Sequence, residues 1–574
     1  MAFSLKKLKF YSSHIKKNGV RSLGPLGSFR IGSFLVKTQN TILSAALVLS
    51  IASGINAILG MLKGRLLAQY FGVSNDLAIF YTADRIPNLI YSILVVGAVS
   101  TVFIPVFTDL LKRNRETAFE TASSIINAVF GFFVLVGSIT FILSPWIIKL
   151  LSVGQFSGLE IVLGANLMRI MLISQVILVA GSLATSILHS FKYFMIPAMA
   201  PVFYNLGMLF GIIFLSGKYG IYGPTYGTIL GALLHLGIQL PLLAKTGYIP
   251  SLSFNFGDKG LRELLHLIPP RLLSVFLANL VGTINNSLAI LISAASVVYL
   301  KFALQLQTFP VLLFGLSMAS ASLPTLSEQG DRENMERFKK TFLTSFHQMM
   351  FLVIPLSVIL LVLRVPVVRI VYGVSNFPWE ATVQTSYVLA FFSLSIFSQS
   401  AYYLITRAFF ALKDTYTPVK VSLFTIVLNL GLSLFFVVYL KLEIWAVALA
   451  FSFTSILDMI LLMWLLNKKV GGFGVEKLLG PFLKISYAAL LMGITLYLPL
   501  KLLDIVVIDT SRTLNLLLLT GIASFSGGAT YLILTKLFKV EEIELFYKLM
   551  RKLDIRRNLR RKRVLLEHTE DTVS

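Results

Sequence analysis

The chain has 574 residues, 56% of them hydrophobic and only 13% charged, with a mean hydropathy of +0.82; a soluble domain carries about a quarter charged residues, so the composition excludes one and describes an integral membrane protein. The net charge of +24 would suit a nucleic-acid partner, but Lys and Arg gather in the tails and in short loops between apolar segments, a pattern that faces a cytoplasmic leaflet and sets nucleic acid aside. No cysteine occurs, which removes disulfides, thiolate metal sites and thiol nucleophiles.

Residues 1–41 are basic: Lys6, Lys7, Lys9, Lys16, Lys17, Arg21, Arg30 and Lys37 all precede the first acid, Asp76. An acid-free leader can be a transit peptide; the preferred reading is a cytoplasmic tail that holds the first helix positive-inside. Apolar stretches of about 20 residues, long enough to cross a bilayer core, then begin near Ile42, Leu77, Ala122, Val162, Pro197, Gly223, Leu264, Val298, Phe342, Val383, Val419, Trp445, Pro481 and Leu514. The expected fold is all-α and polytopic, with about 14 transmembrane helices. A six-helix bundle over 42–245, a cytoplasmic link over 246–263 and a second six-helix bundle over 264–467 precede two added spans over 468–537 and a basic cytoplasmic tail over 538–574. With the N-terminus inside, Lys112, Arg113, Arg115, Lys192, Lys413, Lys420, Lys468 and Lys469 share the inner face with both tails. The tails are expected to hold anionic lipid, the last one through Arg551, Lys552, Arg556, Arg557 and Arg560 to Arg563.

An internal repeat appears at an offset of roughly 220 residues. Phe191 to Pro197 (FKYFMIP) with Tyr204 to Gly207 (YNLG) is echoed by Leu412 to Pro418 (LKDTYTP) with Leu428 to Gly431 (LNLG). GIYG from Gly220 recurs loosely as EIWA from Glu443, and GAVSTVFIPVF from Gly97 matches GLSMASASLPTL from Gly315. An even number of helices per copy gives both halves the same orientation, related by an axis along the membrane normal, with a cavity between them.

Enzyme constellations are missing: the six histidines have no metal-ligand spacing, and there is no GxSxG, no GxxxxGK[ST] and no intramembrane carboxylate pair. Work must therefore come from an ion gradient, the membrane potential or the substrate's own gradient. What stands out is charge inside the spans, which marks a pathway because an ionisable group at that depth needs a wet cavity or a partner. Lys63, Arg65, Asp84, Arg85 and Arg271 are the candidates, and cations converging on one cavity would select an anion such as a pyrophosphate. Arg169 and Lys301 are expected to snorkel to the interface instead. Pro87, Pro105, Pro201, Pro310 and Pro324 are read as kinks, with hinges for alternating access as the sharper reading of Pro105 and Pro324.

The ordered segments LGMLKGRLLAQYFG from Leu59, RIPNLIYSILVVGAVSTVFIPVF from Arg85, IPAMAPVFYNLG from Ile196, GIYGPTYGTILGALLHLGIQLP from Gly220, IPPRLL from Ile268, FPVLLFGLSMASASLPTLSE from Phe309 and RAFFALKDTYTPVK from Arg407 resemble the MurJ/MviN-type lipid II flippases. That family belongs to the multidrug/oligosaccharidyl-lipid/polysaccharide exporter superfamily, and the likeness spans Ile42 to Leu466. It implies two bundles plus two helices that form a groove, and a non-enzymatic, ATP-independent transporter in the bacterial inner membrane. The implied activity is movement of polyprenyl-pyrophosphate-linked peptidoglycan precursor to the outer leaflet by alternating access. Carried over residue by residue, the family's first-helix cation falls on Lys63, its following acid on Gly64, an earlier arginine on Ala57, an acid before IPN on Ala78, and the arginine and glutamate after IPN on Tyr91 and Val96. The helix-7 PR is kept as Pro270 and Arg271, and the helix-8 arginine falls on Gln305. A polar position linked to sodium in some relatives falls on Asn429, while the helix-7 acid has only Asn285 and Asn286 nearby. No cofactor or resident metal is expected, and sodium or membrane-potential coupling stays open. A flippase for another lipid-linked oligosaccharide and a non-transporting scaffold for cell-wall synthesis proteins are the alternatives.

Overall fold

The computed structural model describes residues 42–93, 95, 103–251, 275–276, 279–506 and 513–544. Among these the regular structure is entirely helical. In chain order the helices are α1 (Ile42–Phe71), α2 (Asn75–Ala83), α3 (Arg85–Ser92), α4 (Ile104–Arg113), α5 (Arg115–Leu151), α6 (Gly158–Ser190), α7 (Met195–Tyr219) and α8 (Tyr222–Lys245). Then come α9 (Asn279–Ile292), α10 (Ala294–Glu328), α11 (Met335–Val362), α12 (Arg364–Tyr372), α13 (Trp379–Ser393), α14 (Ile396–Ala411), α15 (Tyr416–Tyr439), α16 (Trp445–Lys469), α17 (Val475–Val506) and α18 (Thr513–Leu537).

The helix starts are written in local chemistry. Ser74, Asn114 and Ser293 accept backbone N–H bonds at the N-termini of α2, α5 and α10, and Ser157 with Glu160 forms a reciprocal capping box on α6. Outward faces are apolar: on α5, Phe132, Leu135, Ile142, Trp146 and Leu150 are exposed, as expected of a lipid-facing helix. Inside, Phe103, Phe107, Phe133, Phe302 and Tyr372 belong to one core. Phe338, Phe342 and Phe409 form another, to which α17 and α18 contribute Ile485, Met492, Leu496, Ala523 and Tyr531. The two added helices therefore pack with the second bundle, α17 lying along α11.

The count of 14 spans is not confirmed. Ten described helices are long and apolar enough to cross a membrane, or eleven when α13 and α14, bent by 41° at their junction, are taken as one. The candidates at Leu77 and Leu264 run into residues outside the described set, as do the two tails and the 252–263 part of the link. The candidate at Ile42 is the 30-residue helix α1.

The repeat has a backbone signature. Lys192 and Lys413 both adopt left-handed φ, 62° and 59°. Each closes its helix by the same pair of bonds, Lys192 N–H to His189 and Tyr193 N–H to Leu188 in one copy, Lys413 N–H to Phe410 and Asp414 N–H to Phe409 in the other. At the far end of the next helix, Gly220 (φ 55°) is matched by Lys441 (φ 52°). Between those turns α7 widens to a π-helix at Gly211–Leu215 and α15 does so at Phe435–Tyr439.

Candidate functional site

Lys63 on α1, Asp84 and Arg85 at the α2–α3 junction, and Lys301 on α10 converge where the two bundles meet. Asp84 is within electrostatic reach of Lys63, Arg85 and Lys301, and Lys301 is within reach of both other cations. Lys63 lies about two turns before the end of α1, Lys301 about two turns after the start of α10, and Asp84 and Arg85 lie at the break between α2 and α3. All four are half-buried, enclosed by protein yet keeping accessible surface, as cavity-wall side chains do.

Neutral contacts hold the ring open. Lys63 Nζ donates to Met208 Sδ on α7 at 3.8 Å. The Lys301 ammonium lies over the Tyr81 ring of α2, 5.4 Å from its centroid. Arg85 Nε donates to Asn286 Oδ1 on α9 at 3.3 Å, and Asn286 Nδ2 donates to Thr82 Oγ1 at 3.1 Å. Among the described residues, Lys63, Arg85 and Lys301 form no ion pair with Asp84. By formal charge the three cations exceed the one carboxylate by two, the complement of a dianion such as a pyrophosphate diester.

One side of the ring is closed by a seam between the bundles. Gln305 Nε2 on α10 donates to the Gly60 carbonyl of α1 at 2.5 Å. Arg65 Nη1 donates to the carbonyls of Ile370 and Val371, at 2.6 and 3.0 Å, capping the last turn of α12. Asn376 Nδ2 donates to the Gln69 carbonyl at 2.7 Å. Gly64 and Gly72 permit this approach: a Cβ at Gly64 would come within 2.9 Å of Gln305 Oε1 and 3.0 Å of the Tyr372 ring, and one at Gly72 (φ 58°) would collide with the Asn376 carbonyl. Tyr372 stacks on Phe302, with centroids 4.2 Å apart.

The site residues expected from sequence therefore separate into groups. Lys63, Asp84 and Arg85 lie in the ring, while Arg65 and Gln305 bond across the seam. Arg271 lies outside the described residues. Asn429 is buried away from the ring, with Nδ2 donating to Thr454 Oγ1 at 3.2 Å and Oδ1 unpaired. Lys301 corrects an expectation: it does not snorkel outward but faces Tyr81 and the ring, whereas Arg169 lies over Phe141 and donates to the Phe141 carbonyl and Asn166. Its place one turn before Gln305 was the available signal, since residues four apart share a helix face. Asn286 was marked only by its nearness to the position of the helix-7 acid, and Asn376 and the α12 carbonyls carried no signal.

A family model described as lipid II flippase MurJ matches residues 67–514. A probable lipid II flippase MurJ of Buchnera aphidicola subsp. Acyrthosiphon pisum is 28% identical over 515 residues, which cover 88% of this chain and 99% of that protein. Among solved structures, a lipid II flippase MurJ in an inward closed conformation superposes with a TM-score of 0.73 at 26% identity, covering 87% of this chain and 100% of that one. An inward-facing multidrug resistance MATE family transporter of the MOP superfamily superposes with a TM-score of 0.62 at 16% identity, over 75% of this chain and 98% of that one. This last likeness is one of fold.

Proposed function

The chain belongs to the lipid II flippase MurJ family, and from that premise we propose that it carries lipid II, a polyprenyl-pyrophosphate-linked peptidoglycan precursor, from the inner to the outer leaflet of a bacterial inner membrane. The observation that carries this reading is the ring of Lys63, Asp84, Arg85 and Lys301 between the bundles, with two positive charges in excess and no internal ion pairs. The pyrophosphate enters the ring while the apolar chain stays in lipid. Cations on both bundles then contact one dianion, so the headgroup stabilises the bundles' approach to one another, and loss of those contacts on the other side releases it.

The distribution of Lys and Arg supports inward-facing termini. In that orientation the seam of Arg65, Gln69, Gln305, Ile370 and Asn376 closes the outer side, and the conformation described is closed toward the outside. No ATP-binding motif is present, so alternation draws on a gradient or on the membrane potential.

Expression in a bacterium depleted of its own lipid II flippase tests the reading. Rescue of growth, with lipid II reaching an outer-leaflet probe, is the expected result. Full expression in the membrane with lipid II remaining in the inner leaflet would remove it.

A further inference from the structure

The second bundle encloses a polar cluster separate from the cationic ring. Asp458 lies near the middle of α16, an apolar span packed against α13, α14 and α15. Its Oδ1 is enclosed and has no hydrogen-bond partner. The carboxyl meets the hydroxyls of Ser422 and Thr425 on α15. Ser422 donates its one proton to the Tyr402 hydroxyl of α14 at 3.2 Å, and Thr425 donates its own to the Ser422 carbonyl at 3.1 Å. Hydroxyl protons rotate, so the pair can donate to a carboxylate or accept from a carboxylic acid. A carboxylate has nothing to donate, and a carboxylic acid has one O–H. Among the described residues no Lys, Arg or His pairs with Asp458; Tyr402 is the titratable group facing it, and Arg407 on α14 acts on Tyr403 instead. An unpaired carboxylate at this depth costs several kcal/mol by general estimates, roughly 2.5 or more.

We propose that Asp458 is a proton-binding site of the second bundle. The Ser422–Thr425 pair accepts its O–H when the proton is bound and donates to the carboxylate when it is not, while the enclosed Oδ1 without a partner favours the bound state. When α14, α15 and α16 part enough to admit water, the proton passes to that water and leaves a carboxylate; the reverse transfer resets the site. The site is distinct from Asn429, which lies further along α15 and is bonded to Thr454. That this proton drives transport rests on the flippase reading; its binding does not.

Infrared difference spectra of the full chain in lipid nanodiscs, recorded across a pH titration, test the proposal without reference to transport. A protonated-carboxyl C=O band that titrates is expected, lost in Asp458→Asn, displaced in Asp458→Glu and shifted in apparent pKa in Ser422→Ala. Should Asp458→Asn fail to fold, the glutamate and Ser422→Ala shifts decide. A carboxyl spectrum identical in all variants would overturn the proposal, as would sodium binding that requires Asp458 with no titrating carboxyl band. Proton binding with unchanged lipid II transport in Asp458→Asn would leave the site standing and refute only its coupling.

Discussion

The ammonium of Lys301 sits 5.4 Å from the centroid of the Tyr81 ring, joining α10 of the second bundle to α2 of the first. A cation over an aromatic face contributes about 2 kcal/mol when desolvated, and here it fixes a charge without neutralising it. Lys301→Ala is expected to lower lipid II translocation by on the order of tenfold or more, the loss of one charge-assisted contact, while Lys301→Arg retains most of it. Tyr81→Phe keeps the ring and should be near neutral; Tyr81→Leu should lower translocation. Reconstituted vesicles with an outer-leaflet lipid II probe measure this, and normal translocation by Lys301→Ala would detach the residue from the site.

The seam between the bundles can be trapped covalently because the chain has no native cysteine. Asn376 bonds the Gln69 backbone, so Gln69→Cys with Asn376→Cys should cross-link under mild oxidation, stop lipid II transport and release it on reduction. A cross-linked protein that still transports would show that the seam need not open.

Gly64 sets how closely α1 approaches Gln305 and Tyr372. Gly64→Val places branched methyls where even a Cβ is crowded, so the seam should spend more time open, with Gly64→Ala intermediate. The yield of the Gln69–Asn376 cross-link is expected to drop severalfold in Gly64→Val. An undiminished yield would mean that the seam absorbs the volume elsewhere.

Asp414, in the turn between α14 and α15, accepts from Lys469 Nζ at 2.5 Å and from the Thr417 N–H and hydroxyl. Burial opposes its charge, but Lys469 and Thr417 outweigh that and hold its pKa at about 2. Its stabilising contribution is complete above the unfolded carboxyl value of about 4 and is lost as pH falls through about 2. Asp414→Asn keeps an acceptor for the Thr417 N–H but loses the Lys469 ion pair, so it should remove that acid-side change and cost up to about 1 kcal/mol at neutral pH. Thermal unfolding at several pH values would read it; a wild-type acid profile in Asp414→Asn would assign the effect to another carboxylate.

Apolar runs and a repeated loop chemistry made the helices and the internal repeat legible: FKYF and LKDT are the same left-handed lysine turn written twice. The ring was half legible. Lys63, Asp84 and Arg85 announced themselves as charges in apolar segments, but hydropathy says nothing about which way a charge faces. Lys301 was therefore assigned to the interface. Arg65 looked like a substrate cation because its partners are backbone carbonyls 305 and 306 residues away, and any residue there would offer the same acceptors. Gly64 read as a lost acid; in three dimensions it is the space that lets two helices touch.

Both α7 and α15 widen in their last third, at Gly211–Leu215 and Phe435–Tyr439, three residues out of step in the register of the lysine turns, and the sequences there, GIIFL and FFVVY, have nothing in common. A π turn holds one residue more than the α-helical turn it replaces. That extra residue displaces the i, i+4 pattern by one position, about 100° of helix rotation, so in each copy the residues that face a given neighbour beyond the widened turn are not those that an unbroken helix would present to it.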